Sequence, residues 1–257
     1  MHQSQLALQS YTLSYYSLVN CMPLLTSNPP QQCRWHSFNT TAELEQAATQ
    51  AILQAALQAV NLRGIFHIVL SGGTTPRRVY ASLRNADADW ATWHVYFGDE
   101  RCLPADHAER NSWMAAQAWL NHVAIPLTQI HLIPAEKDGQ VAASAYAQTL
   151  AGIELFDLVL LGLGEDGHTA SLFPGQELGN TANAPAVIVV ENAPKYPPQR
   201  ISLSAHRLSA ARKVIFLVSG VMKQQAVRDW RNGVAIPAAA INPTDSVDIY
   251  LEAALLA

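Results

Sequence analysis

The stretch "LVLLGLGEDGHTASLFPG", residues 158–175, decides how this chain is read. A continuous apolar run reads as a buried strand and leads into Gly162, Gly164 and Gly167. Asp166 and His168 sit among these glycines, and Pro174-Gly175 close the segment. The spacing is G-x-G-x-x-G, and it admits two readings. A dinucleotide loop opens a long helix whose amino end holds the pyrophosphate, with an acid about 20 positions on for the ribose. Glu191 supplies an acid, but "HTASLF" is too short a helix before the proline, and "GQELGNTANAPA" is loop-like. Asp166 would also turn negative charge toward the pyrophosphate. In the second reading the glycines permit a tight turn that exposes Asp166 and His168 at the end of the strand. An imidazole titrates near pH 6.5 and suits general-base work. Asp166 then orients it or binds a substrate hydroxyl. The second reading fits these residues better.

Outward from this strand the chain alternates strands and helices. "TAELEQAATQAILQAALQAV" from Thr41 is a helix that Gly64 can end, and "IFHIVL" (65–70) is a buried strand. The turn "SGGTTP" follows, with a helix from Pro76. "WHVYFG" (93–98) is a strand, "DERCLPADHAERN" a long polar loop, and 111–121 a helix. "QIHLI" is a short strand, "GQVAASAYAQTLAG" a helix, and "AVIVV", "RISLS" and "KVIFLV" further strands. A helix over "VMKQQAVRDWRNG", capped by Gly233, precedes a last strand in "VDIYLEAALL". The alternation predicts a single three-layer αβα domain, Rossmann-like, with a mostly parallel sheet covered on both faces. Ligands of such sheets sit beyond the carboxyl ends of the strands. The loops "SGGTTP", "GDERCLP" and "GLGEDGHTA" share that edge.

Composition bounds the function. The 257 residues are 49% hydrophobic and 14% charged, with 16 basic and 20 acidic side chains and a net charge of −4. That suits a globular core and argues against a nucleic-acid-binding surface, which needs a basic face. No window approaches the ~18 apolar residues of a membrane span. Cys21, Cys33 and Cys102 are odd in number and widely spaced, which points to a reducing, cytoplasmic compartment. Residues 1–34 read as a loose extension without a secretory pattern, with Met22 the natural start, and residues 35–257 as the domain.

"SGGTTP", "FGDERCLP", "GLGEDGHTASLFPG" and "PKYPPQRISLS" occur in the order found in 6-phosphogluconolactonases, and "SGVMKQQAV" and "IPAAAINP" resemble that family too. The resemblance runs from about Trp35 to Leu255. It implies hydrolysis of 6-phospho-D-glucono-1,5-lactone without metal or organic cofactor. The expected partner is therefore a small phosphosugar lactone, met by a monomer or small homo-oligomer. His168 takes the general-base role that the family resemblance gives it. Arg101 is expected to offset charge on the carbonyl oxygen, and Asp99 to hold that arginine or a sugar hydroxyl. For the phosphate, the Gly72 and Gly73 amides with Ser71, Thr74 and Thr75 form an anion nest at a helix start. Arg77, Lys195 and Arg200 are its candidate cations, with Arg77 alternatively a solvated helix residue, and Lys223 a further candidate.

Other features carry less. Asn111 reads as a helix cap, His107 as a loop residue and Cys102 as packing. A related deaminase acting on glucosamine 6-phosphate keeps the Asp-Gly-His turn but needs a glutamate where this chain has Phe173, and Asp-Glu-Tyr in place of "DER". Ser71 lacks the G-x-S-x-G elbow of a serine hydrolase. The nine histidines form no H-x-x-x-H pair for a metal hydrolase. A non-catalytic sugar-phosphate sensor would have no need of Asp166 and His168.

Overall fold

The computed structural model describes residues 31–257. The expectations for Met22, for Cys21 and for the extension up to residue 30 lie outside the described residues. β1 (Cys33–Phe38) leads to α1 (Thr41–Arg63), whose amino end Thr40 caps by accepting from the Glu43 amide. β2 (Phe66–Leu70), α2 (Thr74–Leu83) and β3 (Trp93–Phe97) follow. Next come β4 (Asp99–Arg101), α3 (Asn111–Ala118), α4 (Gly139–Thr149) and β5 (Leu158–Gly162). The chain continues through β6 (Val187–Val190), β7 (Arg200–Leu203), α5 (Ala205–Ser209) and β8 (Val214–Val218). α6 (Gln224–Arg231) and β9 (Val247–Glu252) complete it.

Six strands form one sheet in the order β1-β9-β8-β5-β2-β3, and every pairing is parallel. Its central strands are apolar throughout because both faces are covered. Leu158 to Leu161 and all of β8 are buried. Each such side chain contributes roughly 1.5–3 kcal/mol through its removal from water. The three-layer αβα expectation stands. The chain runs outward in one direction from β2 to β3 and in the other from β5 through β8 to β9. The order therefore switches between β2 and β5, and a crevice opens there beyond their carboxyl ends. No helix among the described residues is long and apolar enough to cross a membrane.

The sequence reading differs from this architecture in several places. "AVIVV" and "RISLS" do not join the parallel sheet; with "DER" they build a second, antiparallel sheet ordered β4-β7-β6. "DER" is thus a strand rather than loop, paired with residues about a hundred positions on, which no local pattern announces. "QIHLI" forms only an isolated bridge, Ile130 to Val95. α2 begins at Thr74 rather than Pro76, and α3 ends at Ala118, short of Asn121. Cys33 and Arg34 belong to β1, not to the extension; Arg34 pairs in register with Asp248 and donates two hydrogen bonds to its carboxylate, at 2.8 and 3.1 Å.

Candidate active site

The loop after β5 is a closed turn. The Gly164 amide donates to His168 O at 2.7 Å, the Gly167 amide to Gly164 O at 3.1 Å, and the Thr169 hydroxyl to Gly162 O at 2.8 Å. No helix follows, so the turn cannot serve a pyrophosphate in the dinucleotide manner. Two of its glycines have separate causes. Gly167 sits at φ 83°, in the left-handed region. A Cβ on Gly164 would stand 1.9 Å from His168 Nδ1 and 2.6 Å from Asp166 Oδ1, so the imidazole occupies space that any side chain there would fill. Asp166 Oδ1 lies 2.5 Å from His168 Nδ1 and also accepts from the His168 amide at 3.2 Å. This pairing assigns the proton to Nδ1 and leaves Nε2 as the basic nitrogen. Burial holds the His168 pKa below the ordinary imidazole value despite the opposing pull of Asp166. The imidazole therefore remains neutral at neutral pH. The Phe173 ring, buried, packs against it at 4.8 Å between centroids.

β4 supplies the opposite wall. Its residues alternate faces, so Asp99 and Arg101 turn to the crevice while Glu100 turns away. Asp99 is held by Asn111, whose Nδ2 donates to its backbone carbonyl (2.9 Å) and to Oδ1 (3.0 Å), and by the Ser171 hydroxyl at 2.6 Å. Asp99 does not hold Arg101, contrary to one of the two roles expected of it. Arg101 instead donates through Nη1 to the Glu109 carbonyl, and its Nε is buried without a protein partner among the described residues. Arg101 stands directly opposite Arg200 across β4 and β7. Arg200, buried, donates to the carbonyls of Lys195 (3.0 Å), Tyr196 (3.3 Å) and Pro197 (3.2 Å), which fixes the "KYP" turn. Burial pulls its pKa down, and Arg101 adds to that.

Together these loops enclose a cleft of about 370 Å³ at the switch point. Ser71, Gly72, Gly73, Asp99, Arg101, His168, Lys195, Arg200 and Lys223, all singled out in the sequence, line it. Four basic side chains face one carboxylate in this cleft, in a protein of net charge −4. That excess selects anions. Burial and the nearby Lys195 lower the Lys223 pKa, which Glu165 and Asp166 partly oppose.

Other expected residues lie elsewhere. Arg77 faces a separate groove between α2 and α3 with Arg78, Arg84 and Trp113, because it sits a full turn along α2 and points away from the crevice. The Thr75 hydroxyl is taken by Ser219 Oγ at 2.6 Å, and the Thr74 side chain does not line the cleft, so of this turn only its backbone end remains for a ligand. α2 has no side-chain cap at its amino end. Asp166 supports His168 from behind rather than lining the cleft. His107 and Cys102 stay outside it. Two contributors escaped the sequence reading. Asn111 reads as a cap but uses its side chain on Asp99. Buried Tyr80 exchanges hydrogen bonds of 2.9 Å with both the amide and carbonyl of Ser71, pinning the first turn; a tyrosine nearly two helical turns into α2 carries no local signal of that contact.

The arrangement brings a neutral imidazole and four basic side chains together in one cleft. Residues 39–250 match the family described as glucosamine-6-phosphate isomerases/6-phosphogluconolactonase. The chain is 38% identical over 193 residues to a 6-phosphogluconolactonase of Synechocystis, covering 72% of this chain and 79% of that one. It is 35% identical to the 6-phosphogluconolactonase of Mycobacterium leprae, covering 79% and 88%. Its fold is similar to the solved 6-phosphogluconolactonase of Trypanosoma brucei, with a TM-score of 0.78 at 26% identity over 88% of this chain and 98% of that one.

Proposed function

From the premise that this chain belongs to the glucosamine-6-phosphate isomerase/6-phosphogluconolactonase family, we propose that it hydrolyses 6-phospho-D-glucono-1,5-lactone to 6-phospho-D-gluconate, the second step of the oxidative pentose phosphate pathway. The observation that carries this reading is His168 Nε2, left basic by the Asp166 contact, in the same cleft as Arg101, Lys195, Arg200 and Lys223. His168 takes a proton from water as its oxygen bonds to the lactone carbonyl carbon. Charge then develops on the carbonyl oxygen, and the Arg101 guanidinium, which lines the cleft, offsets it. Such a donor typically supplies ~3 kcal/mol. Collapse of the tetrahedral intermediate breaks the bond to the ring oxygen, which receives the proton back from His168. Asp99, held from behind by Asn111 and Ser171, binds a sugar hydroxyl. The phosphate lies between Lys195, Arg200, Lys223 and the amino end of α2, where Ser71, Gly72 and Gly73 line the cleft.

Phe173 favours this reaction over ring opening of glucosamine 6-phosphate, because an apolar ring packs against the imidazole where the related deaminases need a carboxylate. Freshly generated phosphorylated lactone and glucosamine 6-phosphate, offered separately, test the choice. Lactone loss above the spontaneous background with no ammonia release is expected; ammonia release without enhanced lactone loss would overturn it.

A further inference from the structure

The back of β4 carries a residue that the reaction itself does not use. Glu100 is fully buried, on the face opposite Asp99 and Arg101. Its carboxylate accepts from three backbone amides: Oε1 from Arg101 (2.9 Å) and Asn111 (2.7 Å), and Oε2 from Ser112 (2.9 Å). Arg110, also buried, brings Nε to 3.3 Å from Oε2, an ion pair outside hydrogen-bond geometry. The same guanidinium donates to Ile133 O at 2.7 Å and Glu136 Oε2 at 3.0 Å. α3 has no side-chain cap from its own N-cap residue, Arg110; Glu100 does that work from another element.

The consequence is geometric. One carboxylate joins the amide of Arg101 to the first two amides of α3, and Asn111 at that helix start is the residue that brackets Asp99. β4 has only three residues, and its ladder partner β7 touches it along one edge. Apart from Glu100, its other side is tied to the start of α3 by the Asn111 side chain and, just before the helix, by the bond from Arg101 to the Glu109 carbonyl. A buried carboxylate whose oxygens meet only donors is stabilised strongly in one position and tolerates no amide in its place, because either orientation of an amide turns NH2 against N–H groups.

We propose that Glu100 is the positioning residue of the cleft: it locks β4 to the start of α3, so that Arg101 and the Asp99–Asn111 pair meet the substrate at fixed distances, with Arg110 holding Glu100 in turn. This role rests on the lactonase reading above for its kinetic readout. Glu100 touches neither the cleft nor the phosphate wall, so its loss acts on the chemical step more than on binding.

The test compares wild type with Glu100→Gln and, should that variant not fold, with Glu100→Asp, whose shorter side chain keeps the charge but cannot reach all three amides. Displacements near 1 Å can lower turnover by about 100-fold. The expected result for a folded variant is a kcat lowered about 10- to 100-fold, with KM for the phosphorylated lactone within about threefold, and an acid limb of the pH profile that stays in place because His168 belongs to another loop. The nitrogen-resolved NMR signals of the Asn111 side-chain amide and Arg101 Nε–H should shift, while those of the His168 ring stay. Wild-type kcat, or a loss confined to KM, overturns the positioning role. A wild-type protein with no lactonase activity overturns the proposed reaction alone, and the NMR signals then decide: unmoved Asn111 and Arg101 resonances in folded variants reject the role of Glu100.

Discussion

Arg101 and Arg200 face each other as register partners across two antiparallel strands, and both line the same cleft. Like charges directly opposite on a sheet destabilise it; Asp99 and the carbonyls around the two guanidiniums offset part of that repulsion, and a bound anion offsets more. The chain is expected to gain stability from bound anion. At 6-phosphogluconate concentrations about 100 times its dissociation constant, linkage gives ~2.7 kcal/mol. Thermal unfolding with and without 6-phosphogluconate measures this, and Arg101→Ala should reduce the increment.

Gly164 exists for the imidazole. Gly164→Ala puts a methyl group where His168 Nδ1 lies, and the ring rather than the backbone has to move. Turnover should fall by about 100-fold, the scale of a displacement near 1 Å, while the melting temperature stays close to that of wild type. Retained activity with a shifted melting temperature would assign Gly164 to folding alone.

The pH dependence has a definite sign. His168 acts as base only when neutral, and burial holds its pKa below the ordinary value of about 6.5. The acid limb of kcat/KM should therefore fall below pH 6.5. Asp166 opposes the burial effect, so Asp166→Asn lowers the His168 pKa further and moves the limb to more acidic pH. The same change reduces the plateau rate by about tenfold or more, because the carboxylate no longer holds the Nδ1–H tautomer. A limb that moves to higher pH would contradict the assignment.

Two cations that the sequence could not rank are separated by the geometry. Lys195 lines the cleft and Arg77 does not. Lys195→Ala should raise KM for the phosphorylated lactone by about tenfold, as expected for loss of a charge-assisted contact worth ~1.5 kcal/mol, and leave hydrolysis of unphosphorylated gluconolactone unchanged. Arg77→Ala should leave both unchanged. Equal effects of the two substitutions would remove the phosphate from this wall.

The contrast between Lys195 and Arg77 shows what a sequence carries. The parallel strands were legible because burial on both faces makes them continuous apolar runs, as in "LVLLG" and "VIFLV". The cleft loops were legible because glycine and charge cluster just after those runs. The sequence leaves Arg77 open between a phosphate cation and a solvated helix residue because its direction depends on where α2 begins, and Thr74 rather than Pro76 starts it; each residue turns a helical side chain by about 100°. β4 was missed because its partners lie a hundred residues away and its middle residue is a buried glutamate, a type that is rarely buried without a partner. Asn111 reads as a cap for the same reason: the true cap, Glu100, comes from another element and frees the Asn111 side chain for Asp99.

The central claim is that one imidazole, His168, removes the proton from water in a cleft built for a phosphorylated lactone. A rapid assay of freshly made 6-phosphogluconolactone, with spontaneous opening subtracted, tests it by comparing wild type with His168→Ala. The account predicts enzyme-dependent hydrolysis by wild type and a loss of about 10²- to 10⁴-fold in a variant that keeps its fold and still binds 6-phosphogluconate. Turnover by His168→Ala within a few-fold of wild type would contradict it.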